Sequence, residues 1–109
     1  MAVTFRSALF HSLNEIADAQ TAAYGGDWRS SATKLAEICR VQSIDLEVSV
    51  AAFDGRTPVG MALVGCRGAV GWIHDIGVAP AYQKHGTGRQ MMQVVLDRMR
   101  QSNVREVEL

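Results

Sequence analysis

The residues best suited to chemistry lie in one stretch, Val70-Gly-Trp-Ile-His-Asp-Ile-Gly-Val-Ala-Pro-Ala-Tyr-Gln-Lys-His-Gly-Thr-Gly-Arg-Gln-Met-Met92. An apolar run ends at Pro80, a basic turn carries Gly86 and Gly88, and a helical pattern follows at once. Strand, glycine turn and helix start in that order build an anion cradle. Several free backbone N–H groups surround one point, and the helix dipole adds partial positive charge there. Lys84, His85 and Arg89 add to it, so a phosphate-bearing cofactor is the natural occupant. An ordinary strand-to-helix turn with solvated basic residues would carry the same short Gly-x-Gly. Longer spacing has to separate the two.

The positioning elements follow from residue type. Val70 to Val78 is rich in β-branched and aromatic residues, with Trp72, Ile76 and Val78 expected on one face and Ile73 on the other, as suits a two-sided strand. Pro80 cannot donate to a ladder and should end the pairing. Gly86 and Gly88 permit positive φ and leave no Cβ between backbone and ligand. Beyond them Met92, Val95, Leu96 and Met99 keep helical spacing, with Arg89, Gln93, Asp97 and Arg100 mostly opposite.

The string Val78-x-Pro80-x-x-Gln83-x-x-Gly86-x-Gly88-x-x-Met91-Met92 resembles the acyl-coenzyme A signature of the GNAT family of N-acetyltransferases, with Gln83, Gly86 and Gly88 at its defining positions. A Rossmann fingerprint does not fit, because Met91 stands where the third glycine belongs, and no Lys-Ser or Lys-Thr pair makes a P-loop. The weaker resemblance runs from about Leu46 to Leu109.

The resemblance implies transfer of an acetyl group from acetyl-CoA to a primary amine by direct attack. By similarity, the backbone of Ile76, Gly77 and Val78 holds the acyl carbonyl and pantetheine arm, with the Ile76 N–H as oxyanion donor. Gln83, Lys84, His85, Gly86, Thr87 and Gly88 form the pyrophosphate loop. His74 falls where some members carry a proton-relaying side chain, and an imidazole titrates near neutrality. It could equally be a hydrogen-bonded structural histidine, and Asp75 should face the opposite side. A non-catalytic module that binds CoA or a protein partner is the alternative function. Members of the family continue into another helix and two more strands, often with a tyrosine as general acid, and no residue here matches it. The chain is therefore expected to be a C-terminally truncated fragment, or to be completed by a second copy. The acceptor, a small-molecule amine or a protein amine, cannot be read from the sequence.

Composition bounds the rest. The 109 residues suit one small domain, 1–109, with a helical part over 1–44 and a meander plus cofactor-binding part over 45–109. Eleven basic and eleven acidic residues balance, so no strong field calls for nucleic acid or an anionic membrane. No apolar stretch could span a bilayer. Cys39 and Cys66 lack metal or redox spacing, which predicts reduced thiols in a cytoplasmic protein without a metal site.

Along the chain, Val3 and Phe5 suggest a short first strand within Met1 to Arg6. Leu9, Leu13, Ile16, Ala19 and Ala23 predict a helix over Ser7 to Tyr24, ended by Gly25-Gly26. Asp27 is expected to cap a second helix carrying Trp28, Ala32, Leu35 and Cys39 through Val41. Leu46, Val48, Val50 and Ala52 predict a strand, Asp54 to Pro58 a turn, Val59, Met61 and Leu63 another strand, and Gly65 to Gly68 a second turn. Val104 to Leu109 should run parallel to the Val70 strand. The class is α+β with a mixed sheet. His11 is expected at the surface, Trp28 and Trp72 in the core or a cleft wall, Tyr82 against the sheet edge, and Met91, Met92 and Met99 as core filler.

Overall fold

The computed structural model describes residues 2–25 and 27–108. Five strands form one mixed sheet in sequence order, β1 (Val3–Ser7), β2 (Val50–Asp54), β3 (Thr57–Arg67), β4 (Val70–Val78) and β5 (Glu106–Glu108). The first four pair antiparallel, and β5 joins β4 in parallel over Val70 to Trp72. Helices α1 (Leu13–Tyr24) and α2 (Ala32–Val41) share a core with Met61 and Leu63 of β3, while α3 (Thr87–Gln101) buries Met91, Val95 and Met99 against Val50, Ala62 and Val64. Alternation from Met61 to Val64 thus sends Ala62 and Val64 to one layer and Met61 and Leu63 to the other. The mixed α+β sheet and the parallel return strand agree with the sequence reading. Among the described residues no helix is long and apolar enough to cross a membrane.

Element boundaries move for local reasons. The first helix does not begin at Ser7. A 3-10 turn occupies Ala8–Phe10, and Ser12 opens α1 with a capping box, its hydroxyl accepting from the Glu15 N–H while Glu15 bonds the Ser12 N–H. Leu9 is consequently exposed rather than part of the helix face. Ser31, not Asp27, caps α2, accepting from the Lys34 N–H at 3.1 Å, so Trp28 precedes the helix and is 43% exposed. Gly26, the second half of the expected stop, lies outside the described residues. Leu46 to Ser49 is not strand: Asp45 Oδ1 accepts the Glu47 and Val48 N–H groups, an Asx turn that diverts the backbone until Val50. β3 runs on through the expected turn at Gly65, and Gly68, at φ 62°, makes the reversal instead.

His11 corrects the expectation of a surface residue. Its side chain is 9% exposed, its ring stacks on Phe53 at 4.8 Å, and Nδ1 meets Glu15 at 3.2 Å. The 3-10 turn before α1 turns it inward.

The most consequential departure is in β4. Leu63 pairs with Asp75 and Val64 with Ile73, which leaves His74 as an extra residue, a β-bulge. The bulge reverses the alternation. Ile73, Ile76 and Val78 all pack toward α3, whereas Trp72 lies over Gly65 on the opposite face and Asp75 turns toward α1. The expected grouping of Trp72 with Ile76 and Val78, against Ile73, is therefore incorrect. Asp75 still faces away from Ile76.

Leu63 is fully buried in the α1–α2 layer. Leu63→Ala should lower unfolding stability by about 2–5 kcal/mol, read as a fall in the urea midpoint with an unchanged m-value.

Candidate coenzyme site and its geometry

The bulge at His74 sits where the sheet loses its outer neighbour. β5 pairs with β4 only as far as Trp72, and beyond it the outer edge of β4 has no strand partner among the described residues. The Ala79 N–H donates inward to the Val59 carbonyl at 2.7 Å. Two-residue alternation then directs the Gly77 amide inward and the Ile76 and Val78 amides outward. The Val78 carbonyl, on that outer side, accepts from Gln83 Nε2 at 2.9 Å. A short edge with free donors is thus left open beside the end of β4.

The loop after β4 is fixed at both ends. Pro80–Tyr82 forms a 3-10 turn, and the Gln83 N–H goes back to the Pro80 carbonyl at 3.3 Å. Tyr82 packs against the α3-side core and donates its hydroxyl to Asp54 Oδ2 at 2.6 Å. That bond favours the phenol over phenolate and raises the Tyr82 pKa. Lys84 at φ 66° and Gly86 at φ 80° are both left-handed, and Gly86 is the N-cap of α3. A Cβ on Gly86 would meet nothing within 4 Å, so glycine serves the backbone angle there and not the space. Gly88 differs from the expectation: it lies inside α3 without a positive φ, and a Cβ there would sit at ordinary contact distance, 3.8 Å from Val78 Cγ2.

The Gln90 N–H bonds the Gly86 carbonyl at 3.0 Å, but no acceptor is found among the described residues for the amides of residues 84–89. Six donors without internal partners, at the positive end of a 15-residue helix, fit an anion. Gln83 is the exception within the group singled out by sequence. Its amide and side chain are both spent on holding the loop. Thr87 is buried, and Lys84, His85 and Gly86 are exposed.

His74 is exposed at the bulge and has no side-chain partner among the described residues. On the other face lies a cluster the sequence reading missed. Asp75 Oδ1 accepts from the Tyr24 hydroxyl at 2.6 Å and Oδ2 from Gln20 Nε2 at 3.0 Å, while Gln20 Oε1 accepts from Ser30 at 2.6 Å. Burial and the Asp75 carboxylate together push the Tyr24 pKa up to about 12. The signal was present. Ile73 and Ile76, two apolar residues three apart around a polar pair, do not fit an unbroken alternation. Among the described residues no group of His, Cys, Asp and Glu could hold a metal ion, and burial raises the pKa of both free thiols, Cys39 and Cys66.

The family model for Acetyltransferase (GNAT) family matches residues 13–109. The chain belongs to this family. Its fold is that of solved acetyltransferases. A GCN5-related N-acetyltransferase from Sphaerobacter thermophilus superposes with a TM-score of 0.76 at 25% identity, over 96% of this chain and 34% of that one. The ribosomal-protein-S18-alanine N-acetyltransferase of Escherichia coli gives 0.71 at 16% identity, over 94% and 63%. PaiA N-acetyltransferase from Thermoplasma acidophilum, solved in complex with coenzyme A, gives 0.67 at 17% identity, over 95% and 76%. This chain thus spans about a third of the first of these and under two thirds of the second. The search of curated proteins found no match.

The Tyr24–Asp75 bond has a pH signature. The native state keeps the phenol proton to about pH 12, whereas the unfolded chain releases it near 10. The native state therefore binds more protons between those values, and stability falls as pH rises through that window. The urea midpoint of the parent chain should drop over this range, and Tyr24→Phe should flatten the drop.

Proposed function

We propose that this chain binds acetyl-CoA and transfers its acetyl group to a primary amine by direct attack, with no acyl-enzyme. The observation that carries the reading is the set of unpartnered amides at residues 84–89, continuous with the outward amides of Ile76 and Val78. A diphosphate suits the loop, because backbone donors at a helix start match an anion without side-chain contribution. Lys84, His85 and the Thr87 hydroxyl stand beside it. Gln83 holds the loop in shape through Val78.

The bound coenzyme supplies an activated acetyl thioester. This chain's residues position it and manage charge. The outward edge at Ile76 to Val78 aligns the extended pantetheine arm as an added strand would align. The Ile76 N–H donates to the carbonyl oxygen as it gains negative charge. His74, exposed one position from Asp75 and two from Ile76, takes the proton from the acceptor's ammonium, leaving the neutral amine to attack the acetyl carbon. The carbon–sulfur bond breaks, the thiolate leaves, and the proton on the amide nitrogen is released. The acceptor is a small-molecule or protein amine.

Saturating acetyl-CoA should raise the thermal midpoint. At a hundredfold excess over Kd the stabilisation is about 2.7 kcal/mol. Gly86→Glu places a carboxylate in the loop and should abolish the shift while leaving a cooperative melt. An unchanged shift in that variant would remove the loop from the site.

His74→Ala should lower kcat by about a hundredfold or more, as expected for loss of a general base, with acetyl-CoA affinity retained. Equal turnover in the variant would exclude His74 from proton transfer. Coenzyme binding by a parent chain that turns over no amine would instead favour a non-catalytic binding module.

A further inference from the structure

Asp75 is a carboxylate in an unusual position. It is half-buried, both oxygens accept hydrogen bonds from neutral donors, and no Lys, Arg or His pairs with it among the described residues. Two cations of the segment that follows Tyr24 have partners of their own. Lys34 Nζ donates to the Arg29 carbonyl at 3.0 Å and lies 5.8 Å above the Trp28 ring, and Arg29 Nη1 donates to the Trp28 carbonyl at 3.0 Å. A half-buried carboxylate held by two neutral donors keeps a negative charge that no cation of the chain neutralises.

The surroundings are shaped for a cation from solution. Tyr24, 54% exposed, donates its hydroxyl to this carboxylate and stands edge to face with Trp28, 43% exposed, with centroids 4.7 Å apart. Aromatic faces next to an anionic oxygen attract ammonium groups. The cluster is also braced from behind by Ser30, Gln20 and the close fit of Gly77 on Ala23, where an added Cβ would come within 3.0 Å. Asp75 lies one residue from Ile76, roughly 3.3 Å along the strand.

We propose that Asp75, held by Tyr24 and Gln20, is a specificity-determining subsite for a second positive charge on the acceptor. The preferred acceptors are diamines or lysine-like cations, not amines that carry a carboxylate. This rests on the acyl-transfer reading for its meaning, but the subsite can be tested without turnover.

Calorimetric titration of the full chain with cadaverine and with pentylamine compares two amines of equal length that differ by one ammonium. Cadaverine should bind at least tenfold more tightly. Asp75→Asn should reduce that preference to within twofold, and Asp75→Glu should keep most of it. Equal binding of the two amines to the parent chain, no binding of either, or a preference that survives Asp75→Asn would overturn the subsite. In acetylation assays the same loss should enter KM for cadaverine, with kcat and the pentylamine constants unchanged. A preference without acetyl-CoA binding would leave the subsite standing and sink the acyl-transfer reading.

Discussion

At His74 the chain inserts one residue more than β3 can pair, and the geometry of the site follows from that mismatch. The bulge turns Ile76 and Val78 onto the α3 layer, Asp75 and Gly77 onto the α1 layer, and bends β4 where its pairing with β5 has just ended. An edge strand with free donors is ordinarily a hazard for association. Here it is short, and it leads directly into a loop whose own amides lack partners.

The rest of the molecule holds this edge open. Met61 and Leu63 anchor β3 beneath α1, while Met91, Val95 and Met99 fix α3 on the other face. Two clamps set the loop between them, Tyr82 on Asp54 and Gln83 on Val78. Lys84 and Gly86 in left-handed conformation complete the turn, the lysine at a strain of about 1–3 kcal/mol. Strain kept in a loop that makes so few internal hydrogen bonds is consistent with backbone arranged for something other than stability. The glycines divide the labour. Gly86 supplies an angle and Gly77 lets α1 approach, whereas a Cβ at Gly88 would meet only ordinary contact.

Much of this was legible in the chain. Proline and glycine punctuate the strand–loop–helix segment unmistakably, and the apolar spacing after Gly88 placed Val95 and Met99 on the buried face of α3, although Met91 and not the expected Met92 completes that face and Leu96 is only half-buried. Harder to read were features decided by competing side chains. Asp45 captures the amides that the Leu46 to Ala52 alternation would have put in a strand, and Ser31 outcompetes Asp27 as a cap. The facing of β4 was lost because a bulge carries no residue signature of its own. Only the Ile73–Ile76 spacing betrays it, and without it the Asp75–Tyr24–Gln20 cluster could not be assembled from positions 55 residues apart.

Amide hydrogen exchange, residue by residue, with and without coenzyme A reports directly on the open backbone donors. The account predicts fast exchange at Ile76, Val78 and residues 84–89 in the free chain, and strong slowing at those positions on binding. Slow exchange there in the free chain, or slowing confined to other segments, would contradict it.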